Sequence, residues 1–163
     1  MIIKPVRGSI FIKWLHPSLV TDAACLECYS CENMWGKPDF LKLLKTEAVG
    51  GYLATNIDSP TGFLVYENQP DEDQVQILTL VMHPEFRREG IATMMIEKVK
   101  GVRRALKFDK VSIVVRESNL SGHLFLKKNG FVCDSVLKSY FVDEYEHELE
   151  REDGYQFLFK EIK

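Results

Sequence analysis

Arg87-Arg88-Glu89-Gly90-Ile91-Ala92-Thr93 decides the fold, through what stands on either side of it. Upstream, Val75-Gln76-Ile77-Leu78-Thr79-Leu80-Val81-Met82 is an apolar, strand-like run that stops before Pro84. Downstream, Ile91, Met94, Met95, Val99, Val102 and Leu106 recur at helical spacing, with Glu97, Lys98, Lys100, Arg103 and Arg104 between them. The order is strand, tight turn, helix. Free backbone N–H groups and the positive end of the helix dipole meet at such a turn, which suits a phosphate or pyrophosphate. Gly90 removes a Cβ from the approach, and Ala92 keeps the first turn slim. The alternative is an ordinary strand-to-helix connection.

Further along, Lys110-Val111-Ser112-Ile113-Val114-Val115 is a second β-branched run, followed by Arg116-Glu117-Ser118-Asn119. A short helix from about Ser121 leads to Lys128-Asn129-Gly130-Phe131, where Gly130 is a helix stop. Together with His83-Pro84-Glu85-Phe86 before the turn and Ser139-Tyr140-Phe141 near the C-terminus, these segments resemble the GNAT superfamily of N-acetyltransferases. The resemblance runs from about residue 10 to residue 160. Within the superfamily the chain looks most like the ribosomal-protein-alanine N-acetyltransferases and their relatives, which acetylate protein N-termini.

Length and composition set the frame. The 163 residues suit a single domain, 1–163, with enough chain to bury a core without staples. No apolar run approaches a membrane span, and the N-terminus lacks the apolar stretch of a secretion signal, so the expected location is cytoplasmic. Net charge is −3, with seven acids against Arg151 in residues 143–153, which leaves 17 acids and 20 Lys and Arg elsewhere, about +3. A mildly positive body suits a polyanionic ligand, whereas the acidic stretch repels nucleic acid and attracts a cation, unless it is a solvated hairpin loop.

Cys25, Cys28 and Cys31 have a C-x-x-C-x-x-C spacing. An iron–sulfur run wants a fourth cysteine near position 35, which is Trp35, so the expectation is no metal. Three residues apart on a helix, the thiols read as small hydrophobes facing the core, and free thiols fit a reducing compartment.

Residues 10–15 read as a first strand and residues 23–30 as a helix capped by Ser18 or Thr21. Met34-Trp35 opens a second helix, with Pro38 in its first turn, Phe40, Leu41, Leu43 and Leu44 inward, and Gly50-Gly51 as its end. Residues 52–55 and 63–66 form a hairpin around Asp58-Ser59-Pro60, and Pro70-Asp71-Glu72-Asp73 turns into the strand before the decisive turn. Residues 131–141 and 155–159 form a terminal hairpin with the acidic segment between them. The resulting class is α/β (α+β), a GNAT fold: a mixed central sheet of about six to seven strands flanked by about four helices. The resemblance, rather than periodicity, implies that the strands flanking the long helix splay apart.

It also implies the site. Backbone N–H groups of Arg88, Glu89, Gly90, Ile91, Ala92 and Thr93 hold the pyrophosphate of acetyl-CoA, with charge from Arg87 or Arg88. Main-chain groups of Leu80, Val81 and Met82 meet the pantetheine arm, and Asn119 reaches the cofactor, caps the next helix, or does both. Acetyl-CoA is a co-substrate, and the partner is an amine acceptor, a peptide N-terminus or a small amine, attacking the thioester directly in a ternary complex. Tyr140, ten residues after Gly130, falls where N-terminal acetyltransferases carry a tyrosine that gates the peptide amine, and Tyr29 and Trp35 lie in the region covering the substrate mouth.

The usual base position on the strand before the asparagine is Val114, and the usual acid position is Leu126. Both are apolar. General acid–base groups are worth about 10²–10⁴-fold, so their absence slows the reaction and shifts weight onto substrate basicity. At pH 7.5 an α-amine of pKa about 7.8 is about one-third neutral, a lysine amine about one part in a thousand. Ordered water to Glu67, His83, Glu117 or His123 is the remaining proton route. The alternatives are a polyamine or lysine-side-chain acetyltransferase, favoured by the acidic segment, and a CoA-binding module with degenerate chemistry.

Overall fold

The computed structural model describes residues 8–30, 35–57, 59–145 and 148–161. Among these residues, seven strands form one sheet in the order β1-β2-β3-β4-β5-β7-β6. The strands are β1 (Phe11–Trp14), β2 (Val49–Thr55), β3 (Pro60–Gln69), β4 (Gln74–Met82), β5 (Lys110–Arg116), β6 (Val132–Tyr145) and β7 (Glu148–Lys160). Four helices flank it: α1 (Val20–Ala24), α2 (Gly36–Leu44), α3 (Ile91–Leu106) and α4 (Leu120–Lys128). The mixed α/β expectation is met. Neighbouring strands are antiparallel except β4 and β5, which α3 joins in parallel.

Alternation along the strands feeds two apolar layers. Val75, Ile77, Val111, Ile113 and Phe157 pack with Ile91, Met95, Ile96 and Val99 of α3 and Leu126 of α4. On the opposite face Leu53, Phe63, Val65 and Val81 pack with Val20, Ala23 and Leu26 around α1 and with Phe40 of α2. Helix α3 departs from its apolar pattern in detail, since Met94 and Leu106 are exposed while Lys100 and Arg103 are buried. Lys100 stays satisfied by donating to Glu97 at 2.7 Å and to the Asn129 carbonyl at 2.9 Å, with its ammonium 4.1 Å from the Phe159 ring centre.

Several expectations change. The first helix is short, Val20–Ala24, and follows a turn over Pro17–Leu19 capped by His16 rather than by Ser18 or Thr21. Beyond it the chain tightens into a single turn at Glu27–Tyr29, which turns Leu26 and Glu27 inward. Cys25 and Cys28 therefore face solvent instead of the core, and Cys31 lies outside the described residues. Partial desolvation of its sulfur first, and the charge of Asp22 second, push the pKa of the otherwise exposed Cys25 thiol up. Among the described residues no group of three or more His, Cys, Asp or Glu could hold a metal ion.

Helix α2 starts at Gly36, one residue past the expected opening, and buries Phe40, with Leu41, Leu43 and Leu44 half-covered; Met34 lies outside the described residues. It ends at Leu44, well before Gly50 and Gly51, which belong to β2. Those glycines answer a packing demand. A Cβ on Gly50 would stand 2.5 Å from the Tyr66 hydroxyl, and one on Gly51 2.7 Å from the Leu64 carbonyl. The turn residue Asp58 lies outside the described residues.

The acidic stretch is strand rather than loop. β6 and β7 run on to pair Asp143 with Glu150 and Tyr145 with Glu148, leaving Glu146 and His147 outside the described residues. Contacts to two cations, the buried Arg116 and the exposed Lys138, explain this. Arg116 donates to both Asp143 oxygens at 2.8 and 2.9 Å and to Glu152 at 3.2 Å, and its guanidinium lies 4.4 Å from the Phe141 ring centre. Lys138 meets Asp153 at 2.6 Å.

Candidate functional site

β4 and β5 pair only from Gln74↔Lys110 to Ile77↔Ile113. Beyond that point Leu78–Met82 has no β5 partner, and the two strands diverge toward their carboxyl ends. A bulge helps. In the β3–β4 register Tyr66 faces Ile77 and Val65 faces Thr79, so Leu78 is the extra residue. The expected splay is present, and Leu80, Val81 and Met82 lie on its free edge. Val81 is buried while Leu80 and Met82 are half-buried. The Met82 carbonyl already accepts from Arg87 Nε at 3.2 Å, which ties the following turn to the strand.

Both loops expected to bind leave these carboxyl ends, the place where open α/β sheets hold ligands. From β4, Pro84–Phe86 makes one tight turn, Arg88 takes a left-handed φ of 64° and Gly90 one of 81°, and α3 begins at Ile91. Residues 87–90 are exposed, Ala92 and Thr93 are half-buried, and Ile91 plugs into the core. Gly90 stands at the helix start with no side-chain cap, so the first-turn amides present themselves outward. A Cβ at Gly90 would meet nothing within 4 Å. An uncapped, open helix entrance beside Arg87 and Arg88 fits a diphosphate.

From β5, Asn119 caps α4, its Oδ1 accepting from the Gly122 amide at 3.0 Å and the Ser121 hydroxyl at 3.2 Å. The capping alternative is realised. Gly122 makes it possible, because a Cβ there would stand 2.8 Å from Asn119 Nδ2.

On the α2 face of the divergence lies a cleft of about 230 Å³ lined by Trp35, Gln76, Leu78, Val114, Tyr140 and Phe141, together with Leu43 and Ile77. The base position Val114 and the candidate Tyr140 thus share one cleft with Trp35, whose ring packs on Phe40 at 5.4 Å. Tyr140 is 47% exposed. It follows a bulge in β6 where Ser139 takes a φ of 52° and donates its N–H to Asp153 at 2.9 Å. The acid position Leu126 does not join them, since it is buried in the core under α4. Tyr29 packs instead on His83, with ring centres 4.9 Å apart.

Of the four proton-route candidates, His123 and Glu117 lie on the α4 face. His123 donates through Nε2 to the Arg116 carbonyl at 2.9 Å and packs at an angle against the rings of Tyr155 and Phe157. Glu117 accepts from the Tyr155 hydroxyl at 3.3 Å, and its charge is the main cause that raises the Tyr155 pKa. His83 Nδ1 accepts from the Glu85 amide at 3.3 Å. Glu67 alone among the four connects to the cleft, through Gln69 and Gln76.

Sequence reading missed Glu27. It is 4% exposed, and its two oxygens accept from the Trp35 amide at 2.8 Å and the Gly36 amide at 3.1 Å. It thereby holds the start of α2 and the Trp35 wall of the cleft. No periodicity marks a carboxylate that caps a helix nine residues away.

Solved structures share this architecture. The ribosomal-protein-S18-alanine N-acetyltransferase from Escherichia coli matches with a TM-score of 0.78 and 16% identity, over 93% of this chain and 94% of that one. Ard1 from Thermoplasma volcanium matches at 0.78 and 20% identity, over 94% and 99%. The PaiA N-acetyltransferase from Thermoplasma acidophilum, in complex with coenzyme A, matches at 0.74 and 15%, over 94% and 99%. No curated protein sequence matches the chain significantly. The model of the Acetyltransferase (GNAT) family matches residues 19–131, the stretch that carries the splayed strands and both loops at their ends, and the chain belongs to that family.

Proposed function

We propose that this acetyl-CoA-dependent acetyltransferase acetylates a primary amine, a protein N-terminal α-amine or a small amine, by direct attack within a ternary complex. The observation that carries the reading is the cleft at the strand divergence. Trp35, Val114, Tyr140 and Phe141 line it with no charged side chain among the described residues. Such a wall favours an amine that arrives neutral, and near pH 7.5 a peptide α-amine is neutral far more often than a lysine amine. The Escherichia coli neighbour, by its name an alanine N-acetyltransferase, supports the same direction.

In this reading the first-turn amides of α3, residues 88–93, hold the diphosphate, and Arg87 and Arg88 add positive charge there. The free edge of Leu80, Val81 and Met82 lines the pantetheine arm, with the Met82 carbonyl shared with Arg87. Asn119 shapes the opposite loop through its cap. Acetyl-CoA supplies the acetyl group as a thioester whose thiol, of pKa about 8.5, leaves with little protonic help. Tyr140 stands over the acceptor side and orients the amine. The absence of a base at Val114 makes the rate follow the neutral fraction of the substrate. With no described helix long and apolar enough to cross a membrane, a cytoplasmic location suits the reading.

The polyamine reading draws less support, because Asp143, Glu152 and Asp153 are spent on Arg116 and Lys138. The test is release of free CoA thiol over a panel of peptides with free N-termini, N-blocked lysine peptides and polyamines. Turnover led by the free N-termini is the expected result. Firm CoA binding with no turnover of any acceptor would replace the enzyme with a CoA-binding module.

A further inference from the structure

Three amide side chains and two carboxylates form one hydrogen-bonded chain that ends at the cleft. Gln74 Nε2 donates to Glu72 Oε2 and to Gln69 Oε1, each at 2.7 Å. Gln69 Nε2 donates to Glu67 Oε2 and to Gln76 Oε1, each at 2.7 Å. The direction of the chain is fixed, because ionised carboxylates only accept. Glu67 therefore turns the NH₂ end of Gln69 toward itself. The same NH₂ then meets Gln76, which must answer with its oxygen. The amide group of Gln76 is left with its Nε2 as the free end, and among the described residues this nitrogen donates to nothing. Gln76 lines the cleft beside Val114 and Tyr140, and its register partner Ser112 carries a buried hydroxyl with no partner.

A pre-oriented N–H pair in a cleft with no charged side chain among the described residues recognises an oxygen acceptor. We propose that Gln76 is the specificity-determining residue of the acceptor site. Its Nε2 donates to a carbonyl oxygen close to the attacking amine, so the substrate class is the α-amino carbonyl compounds, peptide N-termini and amino-acid amides, rather than simple alkylamines or polyamines. This rests on the acetyltransferase reading above and narrows its acceptor. Glu67 and Gln69 act as positioning residues, holding the Gln76 amide so that a donor rather than an acceptor faces the substrate. An amine without the carbonyl leaves those N–H groups unpaired, and a site built to bond an oxygen discriminates against an analogue that lacks it.

The test compares a tetrapeptide with a free N-terminus against 2-phenylethylamine, in the unaltered protein and in Gln76→Met, which keeps length and loses the donors. The expected result is a KM for the peptide raised about three- to tenfold, the size of one hydrogen bond, with the KM for phenylethylamine unchanged. CoA affinity by calorimetry stays constant and reports that the variant is folded. Gln69→Met frees the Gln76 amide to rotate and produces a smaller rise for the peptide alone. Equal rises for both acceptors, or none for the peptide, overturn the assignment while leaving the enzyme intact. Failure of the unaltered protein to turn over either acceptor, with CoA bound, removes the acetyltransferase reading and this inference with it.

Discussion

Gly154 and Tyr140 are packed so closely that the glycine has no room for a side chain of its own. A Cβ on Gly154 would stand 3.0 Å from Tyr140 Cβ and 2.7 Å from Val114 Cγ1. The missing side chain on β7 is the space into which the β6 bulge delivers Tyr140, beside the position where a catalytic base would sit.

Gly154→Ala therefore displaces Tyr140 from the cleft. Backbone conformation is not at issue there, so the cost is local crowding, about 1–3 kcal/mol of stability. The expected kinetic outcome is a loss of kcat/KM for peptide acceptors of tenfold or more, with CoA affinity unchanged. A variant as active as the parent would show that Tyr140 has no part in acceptor binding.

Gly90 separates conformation from charge. Its φ of 81° penalises any side chain, by about 1 kcal/mol, although a Cβ would meet no atom. An aspartate at a helix start favours the helix dipole but repels a bound diphosphate. Gly90→Asp is thus expected to be no less stable than Gly90→Ala, yet to bind CoA at least tenfold more weakly in calorimetry. Equal CoA affinities for the two variants would remove the diphosphate from this turn.

What the sequence made legible follows from the range of the contacts involved. The β4, α3, β5 unit is readable because local periodicity and a turn glycine determine it. The site residues that were missed depend on distant partners. Gly50 and Gly51 imitate a helix stop, whereas what they satisfy is Tyr66 and Leu64 on the neighbouring strand. Residues 143–153 look like a solvated loop until Arg116, 27 residues from Asp143, supplies the counter-charge. Cys25 and Cys28 share a helical spacing, but the chain leaves α-helix at Ala24 and their shared side points to solvent. The splay is implied by family likeness, and the Leu78 bulge that accompanies it is announced by no local signal.

Glu27 links that concealed layer to the cleft. Its carboxylate is buried and accepts from two amides at the start of α2. Glu27→Ala leaves both donors without their partner, at a cost of about 2–3 kcal/mol for hydrogen bonds to a charged group. Urea unfolding is expected to show that loss, and acceptor KM to rise as Trp35 loses its anchor, while CoA affinity holds. An unchanged unfolding midpoint would mean that the α2 start is held by other contacts.

Acid pH should loosen the β6–β7 arm first. The Lys138 ammonium, followed by the Ser139 amide, holds the Asp153 carboxyl below its usual range. Hydrogen bonds from Ser118, followed by Arg116, lower that of Glu152. A carboxylate with a depressed folded pKa stabilises the fold above its unfolded pKa, about 4, and loses that contribution as pH falls through the lower folded value. Below about pH 4.5 the urea midpoint of the parent should drop more steeply than that of Asp153→Asn, with the two curves converging at the lowest pH. Because Asp153 also accepts from the bulge at Ser139, its protonation frees Tyr140. The Tyr140 ring signals in NMR should therefore broaden over the same interval in the parent and be broad throughout in the variant. Parallel stability curves, or sharp Tyr140 signals in Asp153→Asn, would uncouple this carboxylate from Tyr140.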